Sequence, residues 1–513
     1  MNELQTLLIV LDGFGIGKEN AGNAIYNAKM KFFNSLKQKN HYLTLHASGN
    51  YVGLPKNQMG SSEVGHIHIG AGKVVRSSLK LINDSLADNS FFKNVEINNA
   101  IEYAKKNNST FHIWGLLSNG GVHSHINHYL AALKLASLKN IKKVALHIVG
   151  DGRDTKPKML LEFVTTLQEK IKEYNCGVIA TISGRFYAMD RDKRWEKVQK
   201  AYDVVVNRKG NSFIDPKNYI ESEYLNLRYD EFLMPAFNLN FDGQIKDNDS
   251  LFFVNFRPDR AIQLASCLSN DNYFFTPKKR IKNLYFVCMV KYSNLVNTNH
   301  FAFKQEIVEN PIGKIIANSN LSQLRVAETE KIAHVTYFLD GGNHLNFKNE
   351  KKLLIPSPKV KTYDLQPEMS AYLITKGLIK ELKNNFYNFT CLNFANADMV
   401  GHTGNLKAAI KANQVIEECI KEIFNFCKKQ KINIIISADH GNAEVMLDQN
   451  NKINKKHTCN IVPFIFYDFN QKWIVKAQEK DFSIANIAPT ILDLLNIKIP
   501  TSITKTSLIK KAN

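Results

Sequence analysis

Long apolar runs are missing from this sequence. Within its 513 residues, no run approaches the roughly 18 apolar residues that span a bilayer. The first apolar run, Leu7–Leu11, is too short for the core of a signal peptide, and Glu3 stands where such a peptide carries positive charge. We therefore expect a soluble, cytoplasmic protein without a membrane partner.

Cysteine is scarce and irregularly spaced. The seven cysteines are scattered along the chain, and none forms a Cys-x-x-Cys pair. This arrangement argues against a disulfide framework and against a thiolate zinc site. It is typical of proteins from a reducing compartment.

Internal repeats and low-complexity linkers are also missing. Hydrophobic residues make up 44% and charged residues 22% of the chain, so ordinary cores can form and disorder is not expected as the main state. The composition excludes a collagen and a coiled coil. The length predicts two to four domains.

Arginine is rare in an otherwise basic chain. The 67 basic and 47 acidic residues give a net charge of +20, and because only 11 of the basic residues are Arg, the other 56 are Lys. The lysines are spread without long basic blocks, which favours a compositional bias over a nucleic-acid partner. Six of the 11 arginines fall in three short motifs. Since an Arg fork grips phosphate or carboxylate bidentately, we expect these motifs to bind a small anion.

Short β-rich runs alternate with amphipathic helical stretches. This alternation predicts an α/β fold with mostly parallel sheets flanked by helices. Polar motifs follow the carboxyl ends of the runs, where open α/β sheets bind ligands. Residues 205–250 show no interpretable pattern. The clearest strands are Thr6–Leu11, Phe111–Leu117, Val144–Val149, Val178–Ile182, Leu251–Asn255, Leu284–Val290, Phe389–Phe394 and Ile432–Ser437, and the clearest helices are Leu130–Leu138, Met159–Tyr174 and Leu406–Lys428.

Acids and histidines near both ends of the chain suggest a metal centre. Two of the carboxylates directly follow apolar strands, where unpaired charge is costly. A single Asp after a strand is often a helix N-cap, and a single His is usually a packed or surface residue, so the prediction depends on the whole set. Carboxylate and imidazole ligands without thiolates suit two Mn²⁺ or similar ions, with Zn²⁺ as the alternative. The set is Asp12, Asp398, His402, Asp439, His440 and His457.

A serine in MGSSEVGHIHIGAG is the candidate nucleophile. A serine hydroxyl needs a base or a metal ion to become nucleophilic at pH 7, and the ions above would supply that activation. Spacing does not distinguish Ser61 from Ser62, and a glycine-rich turn with a capping serine is an equal alternative. His66 and His68 would support the metal ligands or only stabilise the turn.

The middle of the chain carries the predicted anion clamp. Its residues follow strands in GGVHSH, GDGRDT, SGRFYAMDRDKRW and NFRPDR, and His123 or Asp154 would move a proton to or from a substrate hydroxyl. Lys331 in AETEKIAH lies outside this region and would bridge the two parts. The clamp residues are His123, Arg153, Asp154, Arg185, Arg191, Arg257 and Arg260.

These motifs together resemble the 2,3-bisphosphoglycerate-independent phosphoglycerate mutases of the alkaline phosphatase superfamily, along essentially the full chain. Further matching motifs are ETEKIAHVTYFLDGG, PSPKVKTYDLQPEMSA, NADMVGHTG, ADHGNAE and HTCN. The resemblance implies a monomer with a metal-binding domain of residues 1–76 and 311–513. Residues 77–310 would form an inserted phosphotransferase domain that binds the substrate.

The resemblance also implies site residues and a reaction. Ser62 would be the nucleophile, and 3-phosphoglycerate and 2-phosphoglycerate would be interconverted through a phosphoserine, as a step of glycolysis and gluconeogenesis. Lys331 would bind and stabilise the phosphoryl group. Asp12, Ser62, Asp439 and His440 would hold one ion, Asp398, His402 and His457 the other, and the clamp residues the phosphoglycerate. The chain departs from the family at Ser61, His68, Asn119 and Lys156, which removes no implied ligand.

Two rival functions remain at this point. A plain metal-dependent phosphatase, or another mutase of the same superfamily, would use the same metal ligands, but the arginine motifs favour an enzyme that retains an acidic intermediate. A nucleic-acid-binding protein would use the net positive charge. The chain shows neither a zinc finger nor a basic helix that would support it.

Overall fold

The computed structural model describes residues 4–38, 40–269 and 281–512. The chain divides into two compact units, which we call unit 1 (Met1–Arg76 and Glu306–Asn513) and unit 2 (Ser77–Gln305). Each unit has its own hydrophobic core and its own large sheet. The inserted segment was expected to end at residue 310, and unit 2 ends at residue 305.

Strands and helices alternate along most of the described chain. The strands are β1 Thr6–Leu11, β2 Tyr42–Leu45, β3 Phe111–Leu116, β4 Val144–Gly150, β5 Val178–Gly184, β6 Asn211–Phe213, β7 Ala236–Asn238, β8 Ser250–Phe253, β9 Tyr285–Cys288, β10 His300–Phe301, β11 Gln323–Glu328, β12 Glu350–Ile355, β13 Phe389–Phe394, β14 Asn433–Ser437, β15 Val462–Tyr467, β16 Trp473–Val475 and β17 Ile509–Lys511. The helices are α1 Ala24–Asn27, α2 Lys31–Ser35, α3 Ser62–Ala71, α4 Ser78–Ala87, α5 Val95–Lys106, α6 Ile126–Leu138, α7 Leu160–Tyr174, α8 Arg185–Ala188, α9 Trp195–Tyr202, α10 Pro216–Leu225, α11 Ile262–Ser269, α12 Ile312–Asn318, α13 Ala371–Asn384, α14 Asn396–Gly401, α15 Leu406–Gln430 and α16 Ile487–Leu494.

The sheet of unit 1 has the strand order β12-β11-β13-β1-β14-β15-β2 within the described residues. Strand β1 lies between β13 and β14 and runs parallel to both. All six residues of β1 are buried, as expected for a central strand covered on both faces. The carboxyl ends of β1, β13 and β14 therefore meet at one edge, and the segments that follow them carry Asp12, Asp398 and Asp439.

The sheet of unit 2 has the strand order β10-β9-β8-β3-β4-β5-β7-β6 within the described residues. Its strands pair in parallel except at the β5–β7 step, which is antiparallel. The carboxyl ends of β3, β4, β5 and β8 lie at a common edge, and the clamp motifs follow these strands.

The predicted α/β class with mostly parallel sheets is confirmed in both units. The structure adds strands that have no long apolar run, such as the half-exposed edge strand β12. In the uninterpreted segment, Asp215 caps helix α10 by accepting a hydrogen bond from the Asn218 amide, and β6 and β7 are only three residues long. Strands that short leave no periodic pattern in the sequence.

All seven cysteines lie in the described residues and are free thiols, as their spacing predicts. Six of them are buried and only Cys459 is exposed. None of the helices in the described residues combines the length and the apolar character that crossing a bilayer requires.

Helix α6 of unit 2 carries a fully buried histidine, His128. Its Nε2 lies 2.8 Å from Asn83 Oδ1, while its Nδ1 has no hydrogen-bond partner among the described residues. Burial, and to a lesser degree the neighbouring His125, lowers the pKa of His128 from its ordinary 6.5 to about 3. The folded protein therefore keeps this imidazole neutral in mildly acidic solution.

We predict that His128 makes the protein less stable in acid. The unfolded chain binds a proton at this imidazole near pH 6.5 and the folded chain does not, so folding stability falls as pH drops below 6.5. Between pH 7 and pH 5 this group alone removes about 2 kcal/mol. Thermal unfolding of the wild type and of His128→Gln at both pH values measures the effect. The variant should lose less stability on acidification, and equal losses in both proteins would contradict the prediction.

Candidate functional site

Ser61 and Ser62 differ at the start of helix α3. Ser61 is the N-cap, and its hydroxyl accepts a hydrogen bond of 3.3 Å from the Val64 amide. Ser62 is the first helical residue, and its side chain is buried. The helix comes close to the sheet edge because residue 65 is glycine, where a Cβ would lie 2.6 Å from the Asp439 Cβ. Only Ser62 projects into the cluster of predicted metal ligands.

The Ser62 hydroxyl has three polar neighbours. It donates a hydrogen bond of 2.9 Å to Asp12 Oδ1, and it lies 3.0 Å from His440 Nε2. The Lys331 ammonium donates a hydrogen bond of 2.7 Å to its oxygen. A hydroxyl that donates a hydrogen bond to a carboxylate and accepts one from an ammonium is placed to act as a nucleophile.

The first expected ligand set is brought together around this hydroxyl. His440 Nε2 lies 3.4 Å from Asp12 Oδ1 and 3.7 Å from Asp439 Oδ2. Oδ1 of Asp439 accepts the amides of Gly13 and His440. Oδ2 of Asp439 is buried and has no hydrogen-bond partner among the described residues. An oxygen of this kind is suited to a cation.

The second expected set is also brought together. His402 Nε2 and His457 Nε2 lie 3.0 Å apart, and each lies 3.2 Å from Asp398 Oδ1. His402 Nδ1 lies 2.8 Å from the Lys455 carbonyl, and His457 Nδ1 lies 2.9 Å from the Gly60 carbonyl. A proton on each Nδ1 leaves each Nε2 with a lone pair, which is the arrangement of metal-binding histidines.

The two other histidines of the serine motif differ in their surroundings. His66 Nδ1 lies 2.8 Å from the Ser62 carbonyl and 3.3 Å from Asp439 Oδ2, so His66 borders the first set. His66, Asp12 and Asp439 each offer one possible ligand atom, and these three atoms lie within 4.8 Å of one another. His68 has its Nδ1 2.7 Å from the Val64 carbonyl, and its Nε2 accepts the Val75 amide, so it supports only the local fold.

Lys331 lies among the carboxylates of unit 1. Its ammonium is 2.8 Å from Asp12 Oδ1 and 2.8 Å from Asp398 Oδ2. Burial alone would lower the pKa of Lys331, but Asp12 and Asp398 raise it above its usual value. Burial alone would likewise lower the pKa of His440, but Asp439 and Asp12 raise it to about 10. Without a bound metal ion both groups are therefore cationic at neutral pH and offset the buried negative charge; a metal ion bound by His440 would displace the proton of that imidazole.

Arg185 is the buried centre of the clamp motifs in unit 2. Its Nη1 donates hydrogen bonds of 2.6 Å to Asp151 Oδ1 and to Asp154 Oδ2. Asp151 was not predicted as a site residue. It also accepts the Ser118 hydroxyl and the amides of Arg153 and Asp154, so it orders the GDGRDT loop. Its position directly after strand β4 was the signal that could have identified it.

A second carboxylate, Asp259, was also not predicted. Arg191 Nη1 lies 2.9 Å from Asp259 Oδ2, and Arg257 Nε lies 3.0 Å from Oδ1. His123 Nδ1 lies 3.7 Å from the same Oδ1, and His123 Nε2 lies 4.0 Å from Asp154 Oδ2. Burial and the nearby Arg185 lower the pKa of His123 to about 4, so its imidazole is neutral at pH 7.

The other two predicted clamp residues lie in unit 2 as well. Arg260 Nη1 donates a hydrogen bond of 3.2 Å to the Met189 carbonyl. The Arg153 side chain is 55% exposed, and its nearest carboxylate, that of Glu231, is 3.7 Å away. Arg153 is thus the least constrained of these cations. Unit 2 holds all seven clamp residues, whereas Lys331 belongs to unit 1.

Comparisons with known proteins find sequence relatives along nearly the whole chain. A sequence model described as the BPG-independent PGAM N-terminus matches residues 82–294. A 2,3-bisphosphoglycerate-independent phosphoglycerate mutase of Mycoplasmoides gallisepticum is 48% identical, over 98% of this chain and 100% of its own. The mutase of the same description from Mycoplasma capricolum is 46% identical, over 98% of both chains.

A solved structure is similar over nearly the whole chain. It is a crystal structure of Leishmania mexicana phosphoglycerate mutase at low cobalt concentration, with a TM-score of 0.69 and 28% identity. The match covers 99% of this chain and 98% of that one. From the extent of the sequence identity, this chain belongs to the family of 2,3-bisphosphoglycerate-independent phosphoglycerate mutases.

Proposed function

We propose that this enzyme interconverts 3-phosphoglycerate and 2-phosphoglycerate through a phosphoserine at Ser62, without added 2,3-bisphosphoglycerate. The observation that carries the proposal is the Ser62 hydroxyl held within 3.0 Å of Asp12, His440 and Lys331. The two substrates are inferred from the family to which the chain belongs. The free thiols suit a reducing compartment, and we propose that the enzyme acts in the cytoplasm as a monomer in glycolysis and gluconeogenesis.

The residues around Ser62 fit two divalent metal ions. Asp439 Oδ2 is buried and has no hydrogen-bond partner among the described residues, and the Nε2 atoms of His402 and His457 converge with Asp398 Oδ1, as the ligands of one ion would. Such ions would lower the pKa of the serine hydroxyl and neutralise charge on the phosphoryl oxygens. We propose Mn²⁺, with Zn²⁺ as the alternative. The proposed ligands of one ion are Asp12, Ser62, Asp439 and His440, and those of the other are Asp398, His402 and His457.

In the first half of the proposed reaction, Ser62 Oγ attacks the substrate phosphorus. A bond forms between Oγ and phosphorus while the bond from phosphorus to the glycerate oxygen breaks, and His123 or Asp154 delivers to that oxygen the proton that Oγ gives up. Lys331 lies 2.7 Å from Oγ and would stabilise the negative charge on the transferring group. The products of this step are phospho-Ser62 and glycerate.

In the second half, the other hydroxyl of glycerate attacks phospho-Ser62. His123 or Asp154 takes the hydroxyl proton, the new ester forms, and the serine oxygen leaves and recovers that proton. An arginine guanidinium can bind the glycerate carboxylate through two hydrogen bonds. Arg257 is exposed, and among the contacts described it pairs only with Asp259, so it can exchange that partner for the substrate. Retention of glycerate is what separates a mutase from a phosphatase.

We predict that Ser62→Ala abolishes mutase activity and leaves the fold intact, because the variant removes the oxygen that receives the phosphoryl group. Ser61→Ala is the matched control. It should lose about 1 kcal/mol of stability through the missing N-cap and should remain active. The measurement is conversion of 3-phosphoglycerate, coupled through enolase, in Mn²⁺ without 2,3-bisphosphoglycerate. Full activity of Ser62→Ala would refute the assignment of the nucleophile.

We predict that Arg257→Met converts part of the turnover into phosphate release. With a weaker grip, glycerate leaves before it is rephosphorylated, and water then hydrolyses phospho-Ser62. Isomer and free phosphate should be assayed together in one reaction. Arg228→Met is the control, since Arg228 is an arginine of unit 2 paired with Glu223 outside the clamp motifs, and it should behave as wild type. An unchanged ratio of phosphate to isomer in Arg257→Met would argue against a role in holding glycerate.

A further inference from the structure

Glu444, in the ADHGNAE motif of unit 1, is a carboxylate to which the proposed mechanism gives no role. Its side chain is buried, with 1% exposure of the residue. Oε2 accepts the Gly15 amide at 3.1 Å and the Asn442 amide at 2.8 Å. Oε1 accepts the Asn460 side-chain amide at 2.9 Å and the Thr458 hydroxyl. Four donors therefore converge on one buried carboxylate.

Two of these donors adjoin proposed metal ligands that are far apart in sequence. Gly15 lies three residues after Asp12, and Thr458 directly follows His457. Glu444 thus joins the segment after strand β1 to the segment before strand β15. The Gly15 bond spans 429 residues of sequence, so no local turn could fix this spacing.

The Asn442 amide extends the connection to two further segments. Asn442 lies two residues after His440, and its side-chain amide donates a hydrogen bond of 2.9 Å to Asp398 Oδ1. That oxygen also faces the second pair of proposed histidine ligands. Through Asn442, Glu444 fixes the loop after β14 and restrains the carboxylate at the centre of the second set.

Three glycine backbones lie directly against the Glu444 side chain. A Cβ on residue 15 would lie 2.4 Å from the Glu444 carboxyl carbon, and a Cβ on residue 441 would lie 2.3 Å from Oε1. Gly17 is also close, with 2.8 Å from its Cβ position to the Glu444 Cγ. Backbone approaches this close need glycine, and they hold the carboxylate in one position.

We propose that Glu444 is a positioning residue that sets the spacing of the segments carrying the metal ligands. The contacts described for it go to backbone amides and to side chains outside the proposed ligand sets, so it acts through other residues. The inference rests on the proposed metal centre. A glutamine at this position would replace one carboxylate oxygen with an NH₂ group. At least one of the buried groups that donate to Glu444 would then face another donor and lose its acceptor.

The test compares Mn²⁺ binding by EDTA-stripped, dialysed wild type and Glu444→Gln, with free Mn²⁺ measured by electron paramagnetic resonance. The Kd for Mn²⁺ should rise about 10- to 100-fold, as expected when a group that orients ligands is changed. The control is Glu417→Gln, because Glu417 is another carboxylate of unit 1 that accepts two backbone amides, those of Phe32 and Phe33. Thermal unfolding in EDTA gives the stability of each protein, and Glu417→Gln should lose stability while binding Mn²⁺ as the wild type does.

Each outcome of this test decides the inference. Unchanged Mn²⁺ affinity in Glu444→Gln, or an equal loss in Glu417→Gln, would overturn it. If Glu444→Gln does not fold, Thr458→Val removes one donor and keeps the carboxylate, and it should weaken Mn²⁺ binding by less than about 10-fold. Unchanged affinity in that variant would again overturn the inference. A wild type that binds neither Mn²⁺ nor Zn²⁺ would overturn the proposed metal centre and this inference with it.

Discussion

Three carboxylates buried beside one serine are the constraint on which unit 1 depends. Asp12, Asp398 and Asp439 are almost completely removed from solvent. Burying an ionised carboxylate without a partner costs several kcal/mol, so positive charge must accompany all three. Lys331 supplies part of it, and so does His440 until a metal ion displaces its proton. Among the described residues Asp439 Oδ2 has no hydrogen-bond partner, so protein donors do not saturate the cluster. The proposed metal ions would complete the balance of charge.

The parallel sheet explains how these charges come together. Strand β1 lies between β13 and β14, so three segments that are distant in sequence reach one edge. The fully apolar strands anchor that edge in the core, and the polar side chains follow directly after them. Unit 2 uses the same arrangement with arginines in place of most of the acids, which suits an anionic substrate. The same type of sheet edge thus gathers acids and histidines in unit 1 and arginines in unit 2.

The central strands and the polar site residues that follow them could be predicted from the sequence, because both have strong local patterns. Strand β1 and Asp12 are an example, since a fully apolar run ends in a carboxylate. Ser61 and Ser62 could not be separated by spacing, because the choice depends on the residue at which helix α3 begins. Asp259 was missed because an acid among arginines resembles a surface ion pair. Glu444 was missed because no local pattern marks its donors: the Gly15 amide is 429 residues away, and Thr458 and Asn460 are 14 and 16 residues away.

The most direct test of the account is to locate the phosphoryl group during turnover. Enzyme mixed with 3-phosphoglycerate, without 2,3-bisphosphoglycerate, would be quenched rapidly in acid, digested and examined by tandem mass spectrometry. The account predicts phosphate on Ser62 and none on Ser61. Phosphate on another residue, or isomerisation without any phosphoenzyme, would contradict it.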